Sequence, residues 1–286
     1  MQEQVWTVKD ISLWCRKFLE NKSPSHRLDS DLLLAKALGC KRIDLYCSYE
    51  KPVTAEERQL LKALLARRAE GEPIAYILGT KEFYGREFIV DSRALIPRSE
   101  TEHLVEEAVR RVADIETPKI LDIGTGSGCI ALTLKAEISK SLVEAWDKSA
   151  EAIELAELNR SNLGIDLVLK EIDAFNPPED VGKFDLIVSN PPYIPSSHVD
   201  SGLVESSVYS FEPHVALFSE GRGFAFYELY ASGYHKFLED DGTIMTEIGF
   251  DQGAIVAEIF RSHGWRNIEL KKDLSGHDRI VIANKP

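Results

Sequence analysis

Asn190-Pro-Pro-Tyr193 follows the strand-like run Phe184-Asp-Leu-Ile-Val-Ser189, and its residue types suit one kind of chemistry. An amide or exocyclic amino nitrogen is a poor nucleophile because its lone pair is delocalised into the neighbouring π system. Two acceptors, the Asn190 side-chain oxygen and the Pro191 main-chain oxygen, can take both N–H bonds. That turns the lone pair toward an electrophilic methyl group and stabilises positive charge growing on nitrogen. Pro191 and Pro192 stiffen the loop and remove competing donors. Tyr193 can stack on the planar amide. A proline-rich strand terminator is the bland alternative, and the position after a fourth α/β strand argues against it.

Three further features fall at the ends of earlier strands. Leu121-Asp-Ile-Gly-Thr-Gly-Ser-Gly128 turns from strand to helix through Gly124, Thr125, Gly126, Ser127 and Gly128. Glycines there allow a sharp bend and let a ligand approach the main chain. Cys129 stands where a dinucleotide-binding G-x-G-x-x-G would place its last glycine, so S-adenosylmethionine, a dinucleotide and a purely structural turn all remain open. Asp147, 19 residues beyond Gly128, can accept both ribose hydroxyls of either ligand, or merely cap the helix that starts near Ser149. Asp173 can accept from an adenine amino group, the Ala174 N–H can meet a ring nitrogen, and Phe175 can cover the ring face.

The elements that position these residues alternate strand with helix. Strands are expected at Lys119–Ile123, Leu142–Trp146, Asp166–Ile172, Phe184–Ser189 and Gly242–Ile248, with helices at Gly128–Glu137 and Ser149–Asn162. That pattern implies an α/β fold with a parallel sheet covered on both faces, whose ligands bind at the carboxyl ends of the strands. Ser99-Glu-Thr-Glu102 is expected to cap an amphipathic helix carrying Leu104, Val105, Ala108, Val109 and Val112.

Residues 1–73 read as a small helical bundle. Val8, Ile11, Trp14, Cys15 and Phe18 form one stripe, Leu28–Leu38 is apolar enough to be buried and ends at Gly39, and Thr54-Ala-Glu-Glu57 forms a capping box. Arg67-Arg68 reads as a solvated helix face. Residues 74–92 read as a β-hairpin linker turning at Gly85-Arg86, and residues 93–286 as the catalytic domain.

Composition bounds the rest. The net charge of −13 and absence of a basic arm argue against bare nucleic acid as substrate. No apolar run approaches the roughly 20 residues of a membrane span, and the first twenty residues lack a signal peptide's apolar centre. Cys15, Cys40, Cys47 and Cys129 form no metal-ligand spacing and read as small buried hydrophobes in a reducing cytoplasm. None of the seven histidines pairs at metal spacing, and methyl transfer from a sulfonium needs no metal; His198 and His214 read as loop residues. Glu247 either faces the cleft or closes the sheet.

Taken together, DIGTGSG, Asp147, Asp173 and NPPY resemble the seven-stranded amino-methyltransferases. Pro97-Arg-Ser-Glu-Thr-Glu102 and Phe211-Glu-Pro-His-Val-Ala-Leu217 resemble, more specifically, the HemK/PrmC family along the whole chain. The resemblance implies a Rossmann-like class I methyltransferase domain behind a helical substrate-docking bundle. It implies methyl transfer from S-adenosyl-L-methionine, leaving S-adenosyl-L-homocysteine, to N5 of the glutamine in the Gly-Gly-Gln motif of class 1 peptide chain release factors. Cofactor contacts then carry over to Gly124–Gly128, Asp147, Asp173, Ala174, Phe175 and Asn190. Substrate contacts carry over to Asn190, Pro191, Pro192 and Tyr193, with Asn190, Pro191 and Tyr193 catalytic and no metal. A nucleic-acid amino-methyltransferase acting on adenine N6 or guanine N2 is the alternative. Two positions depart from the family pattern: Ala174 follows Asp173 where an aromatic is common, leaving Phe175 as the candidate adenine cover, and Gly221-Arg-Gly-Phe224 replaces Gly-x-Asp-Gly-Leu.

Overall fold

Thr7 starts the first helix, α1 (Val8–Leu19), by a reciprocal exchange: its hydroxyl accepts the Asp10 N–H at 3.3 Å and its own N–H reaches the Asp10 carboxylate at 3.1 Å. Thr54 and Glu57 repeat the device ahead of the helix at Ala55–Ala69. The computed structural model describes residues 5–199, 202 and 204–286. It divides into two units, one ending at Thr80 and including Ser206–Phe211, the other comprising Lys81–Glu205 and Glu212–Pro286.

In the first unit, α1 is followed by α2 (His26–Leu38), α3 (Arg42–Cys47), α4 (Ala55–Ala69) and α5 (Ile74–Leu78). Val8, Ile11, Cys15 and Leu19 form the buried stripe of α1. Trp14, expected in it, is 46% exposed and stacks on Phe18, because Ser12 and Leu19 take the inward positions instead. Gly39 ends α2 in the left-handed conformation, while Leu28 is exposed. Arg68 is not on a solvated face. It donates to buried Asp29 at 2.7 Å and to Ser23 at 3.0 Å, compensating a carboxylate that burial alone would penalise. Cys15 and Cys129 are buried as expected, but Cys40 is only half-buried and Cys47 is exposed on the short α3. Residues 74–78, read as linker, are helical, since Pro73 leads directly into an apolar turn that buries Ala75, Tyr76 and Ile77.

A hairpin, β1 (Thr80–Phe83) and β2 (Arg86–Ile89), comes next. Its turn falls one residue earlier than expected, at Tyr84-Gly85, with φ of 50° and 71°. Both central residues of such a turn need positive φ, and Arg86 is instead the first residue of β2. The chain continues through α6 (Glu102–Arg111), β3 (Lys119–Ile123), α7 (Cys129–Glu137), β4 (Leu142–Asp147), α8 (Ala150–Leu163), β5 (Val168–Glu171), β6 (Phe184–Ser189) and β7 (Ile194–Pro195). Then follow α9 (Ser206–Phe211), β8 (Phe218–Ser219), α10 (Glu220–Gly223), α11 (Ala225–Gly233), β9 (Leu238–Glu247), α12 (Gly253–Ser262), β10 (Arg266–Lys272) and β11 (Asp278–Asn284). Seven strands form one sheet in the order β10-β11-β9-β6-β3-β4-β5. The five strands expected from the sequence pair in parallel, and two further strands complete one edge: β11 runs antiparallel to β9, and β10 to β11. Only a short turn joins these last two strands, too short for the crossover that parallel pairing needs.

The central strands β3 and β6 are buried almost throughout, which accounts for their apolar character, whereas β5 at the edge of the sheet is largely exposed. Leu121, Ile123 and Ile187 point into a core with Tyr227, Tyr230, Tyr234 and Phe260, while α6 and α7 pack together and onto the sheet. Among the described residues, no helix is long and apolar enough to cross a membrane.

Candidate active site

Register brings the motifs to one rim. Ile123 pairs with Trp146 on one side and Ser189 on the other, Asp147 pairs with Glu171, and Ser189 pairs with Thr246. The residues that follow, Gly124, Asn190 and Glu247, therefore emerge level with Asp147 at the carboxyl edge. From central β3 the chain proceeds outward through β4 to β5 and then returns to β6 on the other side of β3, so this edge is the switch point of the sheet.

The glycine loop is tied to β4. The Gly124 and Thr125 N–H groups both donate to the Trp146 carbonyl, at 2.8 and 2.9 Å, and the Gly126 N–H donates to the Asp147 carboxylate at 2.9 Å. The other Asp147 oxygen accepts the Ser149 N–H at 2.9 Å, so Asp147 organises both the loop and the start of α8. Burial pushes its carboxyl above the ordinary value against the pull of those N–H groups. Gly128 instead makes room for packing between helices. Its φ is 80°, and a Cβ there would lie 3.0 Å from Leu132 and 3.3 Å from Ala156. Beneath the loop, the Thr125 hydroxyl donates to Asp122 at 2.6 Å, and burial pushes the Asp122 carboxyl up to about 7.

A cavity opens over this rim. Gly124, Thr125, Gly126, Ser127, Asp147, Asp173, Ala174, Asn190, Pro191 and Pro192 all line it, whereas Gly128, Phe175 and Tyr193 do not. Phe175 is 46% exposed and meets Phe226 edge-on at 5.0 Å; Phe226 lines the cavity in its place. The Asp173 carboxylate accepts the Phe175 N–H at 2.9 Å, and the Tyr234 hydroxyl donates to the Ala174 carbonyl at 2.7 Å, fixing that corner. The Tyr193 ring packs against the buried core, and burial pushes its phenol up to about 12. Its carbonyl accepts from Gln252 at 3.0 Å, and Gly223 lies so close that a Cβ there would stand 2.4 Å from the same oxygen. The Gly-Arg-Gly sequence at 221–223 thus leaves room for the NPPY main chain.

Ser99-Glu-Thr-Glu102 does not cap α6. A 3-10 turn at Ser99–Thr101 leads into the helix without a side-chain cap, the Glu102 carboxylate takes the Tyr84 N–H at 2.8 Å, and Thr101 turns to the site. The Thr101 hydroxyl donates to Glu247 at 2.7 Å and accepts from the Asn190 side-chain amide at 3.2 Å. Glu247 is buried at the end of β9 and does not line the cavity, and burial pushes its carboxyl up to about 7. Glu212, from the motif at 211–217, accepts from the Ile96 N–H at 3.1 Å and from Arg98 at 2.5 Å, holding the segment that walls the cavity. Asn159 carried no motif in the sequence: fully buried on α8, it bridges both polar groups of Ile89 to the Ser127 carbonyl. A polar residue on an otherwise inward helical face was its only signal.

The set of groups fits S-adenosylmethionine. A carboxylate at Asp147 can accept diol hydroxyls, Asp173 with the Ala174 main chain can meet an adenine edge, and Phe226 offers an aromatic face. The arginines lining the cavity are already engaged, Arg93 by Asp91 at 2.7 Å and Arg98 by Glu212.

Comparison with known proteins agrees with this geometry. Residues 10–79 match the PrmC N-terminal domain and residues 101–221 the methyltransferase small domain. The chain is 39% identical over 279 residues to the release factor glutamine methyltransferase of Geobacter sulfurreducens, covering 97% of this chain and 96% of that one. It is 41% identical over 265 residues to the enzyme of the same name from Koribacter versatilis, covering 92% and 93%. Among solved structures, a methyltransferase from Pyrococcus furiosus shares the fold with a TM-score of 0.50 at 17% identity, over 77% of this chain and 96% of that one.

Proposed function

Because the chain belongs to the release factor glutamine methyltransferase family, we propose that it methylates N5 of the glutamine in the Gly-Gly-Gln motif of class 1 peptide chain release factors. The observation that carries this reading is the juxtaposition of Asn190-Pro-Pro with the glycine loop and Asp147 around one cavity. Bound there, S-adenosyl-L-methionine supplies an electrophilic methyl group on a positively charged sulfur.

The chain's own residues do the rest. Asp147 would hold the ribose, Asp173 and Ala174 the adenine edge, and Phe226 its face. The Asn190 side-chain oxygen and the Pro191 carbonyl accept the two N–H bonds of the glutamine amide, so its lone pair points away from them. As charge develops on that nitrogen, the same two oxygens stabilise it without reorganising. The nitrogen sheds a proton after the new C–N bond forms, so no strong base is demanded. Tyr193 serves here as a core anchor for the loop. We assign the helical bundle to docking of the release factor, and place the reaction in the cytoplasm where that partner works.

The test is mass spectrometry after incubating the protein with labelled cofactor and, separately, a purified release factor, RNA and DNA. One added methyl on the Gly-Gly-Gln glutamine is expected. Label in nucleic acid with none in the release factor would overturn the assignment in favour of an adenine or guanine amino-methyltransferase.

A further inference from the structure

We infer that Thr101 and Glu247 act as positioning residues that fix which end of the Asn190 amide faces the substrate, an inference that rests on the amide-methylating reading above. The two ends of an asparagine amide are alike in shape and opposite in hydrogen bonding, so packing alone cannot tell them apart. Amide methylation needs the oxygen toward the substrate; the NH₂ there would confront the N–H groups it must accept. Something adjacent must choose.

The choice follows from the chain of hydrogen bonds. An ionised carboxylate only accepts, so Glu247 takes the single Thr101 proton, at 2.7 Å. The Thr101 oxygen is left with lone pairs alone toward Asn190, 3.2 Å away, and can be met only by the Asn190 NH₂. The Asn190 oxygen is thereby turned away from Thr101. Thr101, Asn190 and Pro191 all line the cavity, while Glu247 is 2% exposed behind them. A protonated Glu247 reverses the logic: its O–H can donate to Thr101, freeing the Thr101 proton for the Asn190 oxygen and letting the amide turn over.

The surroundings of Glu247 place that reversal within reach. Burial raises its carboxyl to about 7, opposed by the Thr101 hydrogen bond and by the charges of Arg279 on β11 and Arg98 before α6, and assisted by Glu100. The phenol of Tyr193 and the Cys129 thiol of α7 also face it, both neutral in this range, and the Tyr227 hydroxyl donates to its main-chain carbonyl at 3.0 Å. Above about pH 7 the ionised form holds Asn190 in the accepting orientation; below it, that hold is lost.

The test follows kcat against pH on the release-factor glutamine for the wild type, Thr101→Ser, Thr101→Val and Glu247→Gln, with NMR of the Asn190 side-chain amide in the same proteins. Thr101→Val should lower kcat by about ten- to a hundredfold, within the range for loss of one oriented polar contact, and leave cofactor affinity by calorimetry unchanged. Thr101→Ser should restore most of it. The wild type should lose kcat as pH falls through about 7. The Asn190 amide resonances should titrate with that same midpoint, and both dependences should vanish in Glu247→Gln. Wild-type kcat in Thr101→Val, an equal loss in Thr101→Ser, or Asn190 resonances indifferent to pH would each overturn the inference. Should a threonine variant fail to fold, the Glu247→Gln profile and the wild-type resonances decide alone. A wild type inactive on the release factor sinks the parent reading instead, while the NMR titration still tests the coupling.

Discussion

The carboxylate of Glu212 meets the guanidinium of Arg98 at 2.5 Å, although 114 residues of chain separate them. The same carboxylate holds the Ile96 N–H, so one buried side chain pins the segment walling the cavity from Ala94 to Arg98. Glu212→Ala would leave Ile96 without its acceptor and Arg98 free to turn toward water. Because Arg98 is already a third exposed, the loss of stability should be about 2 kcal/mol rather than that of a fully buried pair. A lower urea midpoint together with weaker cofactor binding checks it; binding unchanged in the folded variant would show that the wall does not depend on Glu212.

Asp147→Ala should weaken S-adenosylmethionine binding by about 2–4 kcal/mol, since it removes a pair of charge-assisted bonds to the ligand. It also frees the Gly126 N–H that now donates to this carboxylate at 2.9 Å. Asp147→Asn keeps an acceptor and should fall between. Calorimetry of the three proteins measures the order, and equal affinities would place the cofactor elsewhere.

Asn190→Ala and Asn190→Asp should both lose at least about two orders of magnitude in kcat, with cofactor affinity falling much less. The aspartate substitution preserves shape but sets a second carboxylate against the one hydroxyl that Glu247 already engages at 2.7 Å. Either the new group repels Glu247 or one of them takes up a proton, and the acceptor facing the substrate is lost. Single-turnover kinetics at saturating cofactor reads this directly; near-normal turnover in Asn190→Ala would reduce NPPY to a strand terminator.

Asp122 and Glu247 are both raised to about 7 by burial, which ties stability to pH. A carboxyl with a raised folded-state pKa binds its proton more tightly when folded. Its contribution is therefore complete below the ordinary carboxyl range and is lost as pH rises through about 7. Carboxylates whose values are lowered, such as Asp91 and Glu269, act below that window and leave it flat. Asp122→Asn retains an acceptor for Thr125 while removing the titration, so it should make the urea midpoint less dependent on pH between the ordinary carboxyl range and about 7. A dependence as steep as in the wild type would mean that Asp122 does not titrate there.

The strands carrying the site were legible because each buried parallel strand is a short apolar run ending in a turn. Lys119–Ile123 and Phe184–Ser189 fall where the pattern places them. The antiparallel β10 and β11 were not: Arg266–Lys272 alternates charge with half-buried residues and carries no motif. Gly124, Thr125, Gly126, Ser127, Asp147, Asp173 and Asn190 were placed at or just past strand ends by local spacing, and all of them line the cavity.

What pairing across the fold decides was beyond that reading. Ser99-Glu-Thr-Glu102 reads as a helix cap in its own segment, and only the approach of β9 gives the Thr101 hydroxyl Glu247 as its acceptor. Phe175 looks like the adenine cover because it is next in the chain, yet its neighbour in space, Phe226 of α11, lines the cavity. Sequence alone determined the two central strands to the residue and the other three parallel strands to within a few residues of their ends, since these depend on local backbone and apolar period. Tertiary structure decided what faces those ends: a hydrogen bond or ring contact depends on distance across packed elements, which sequence separation does not encode.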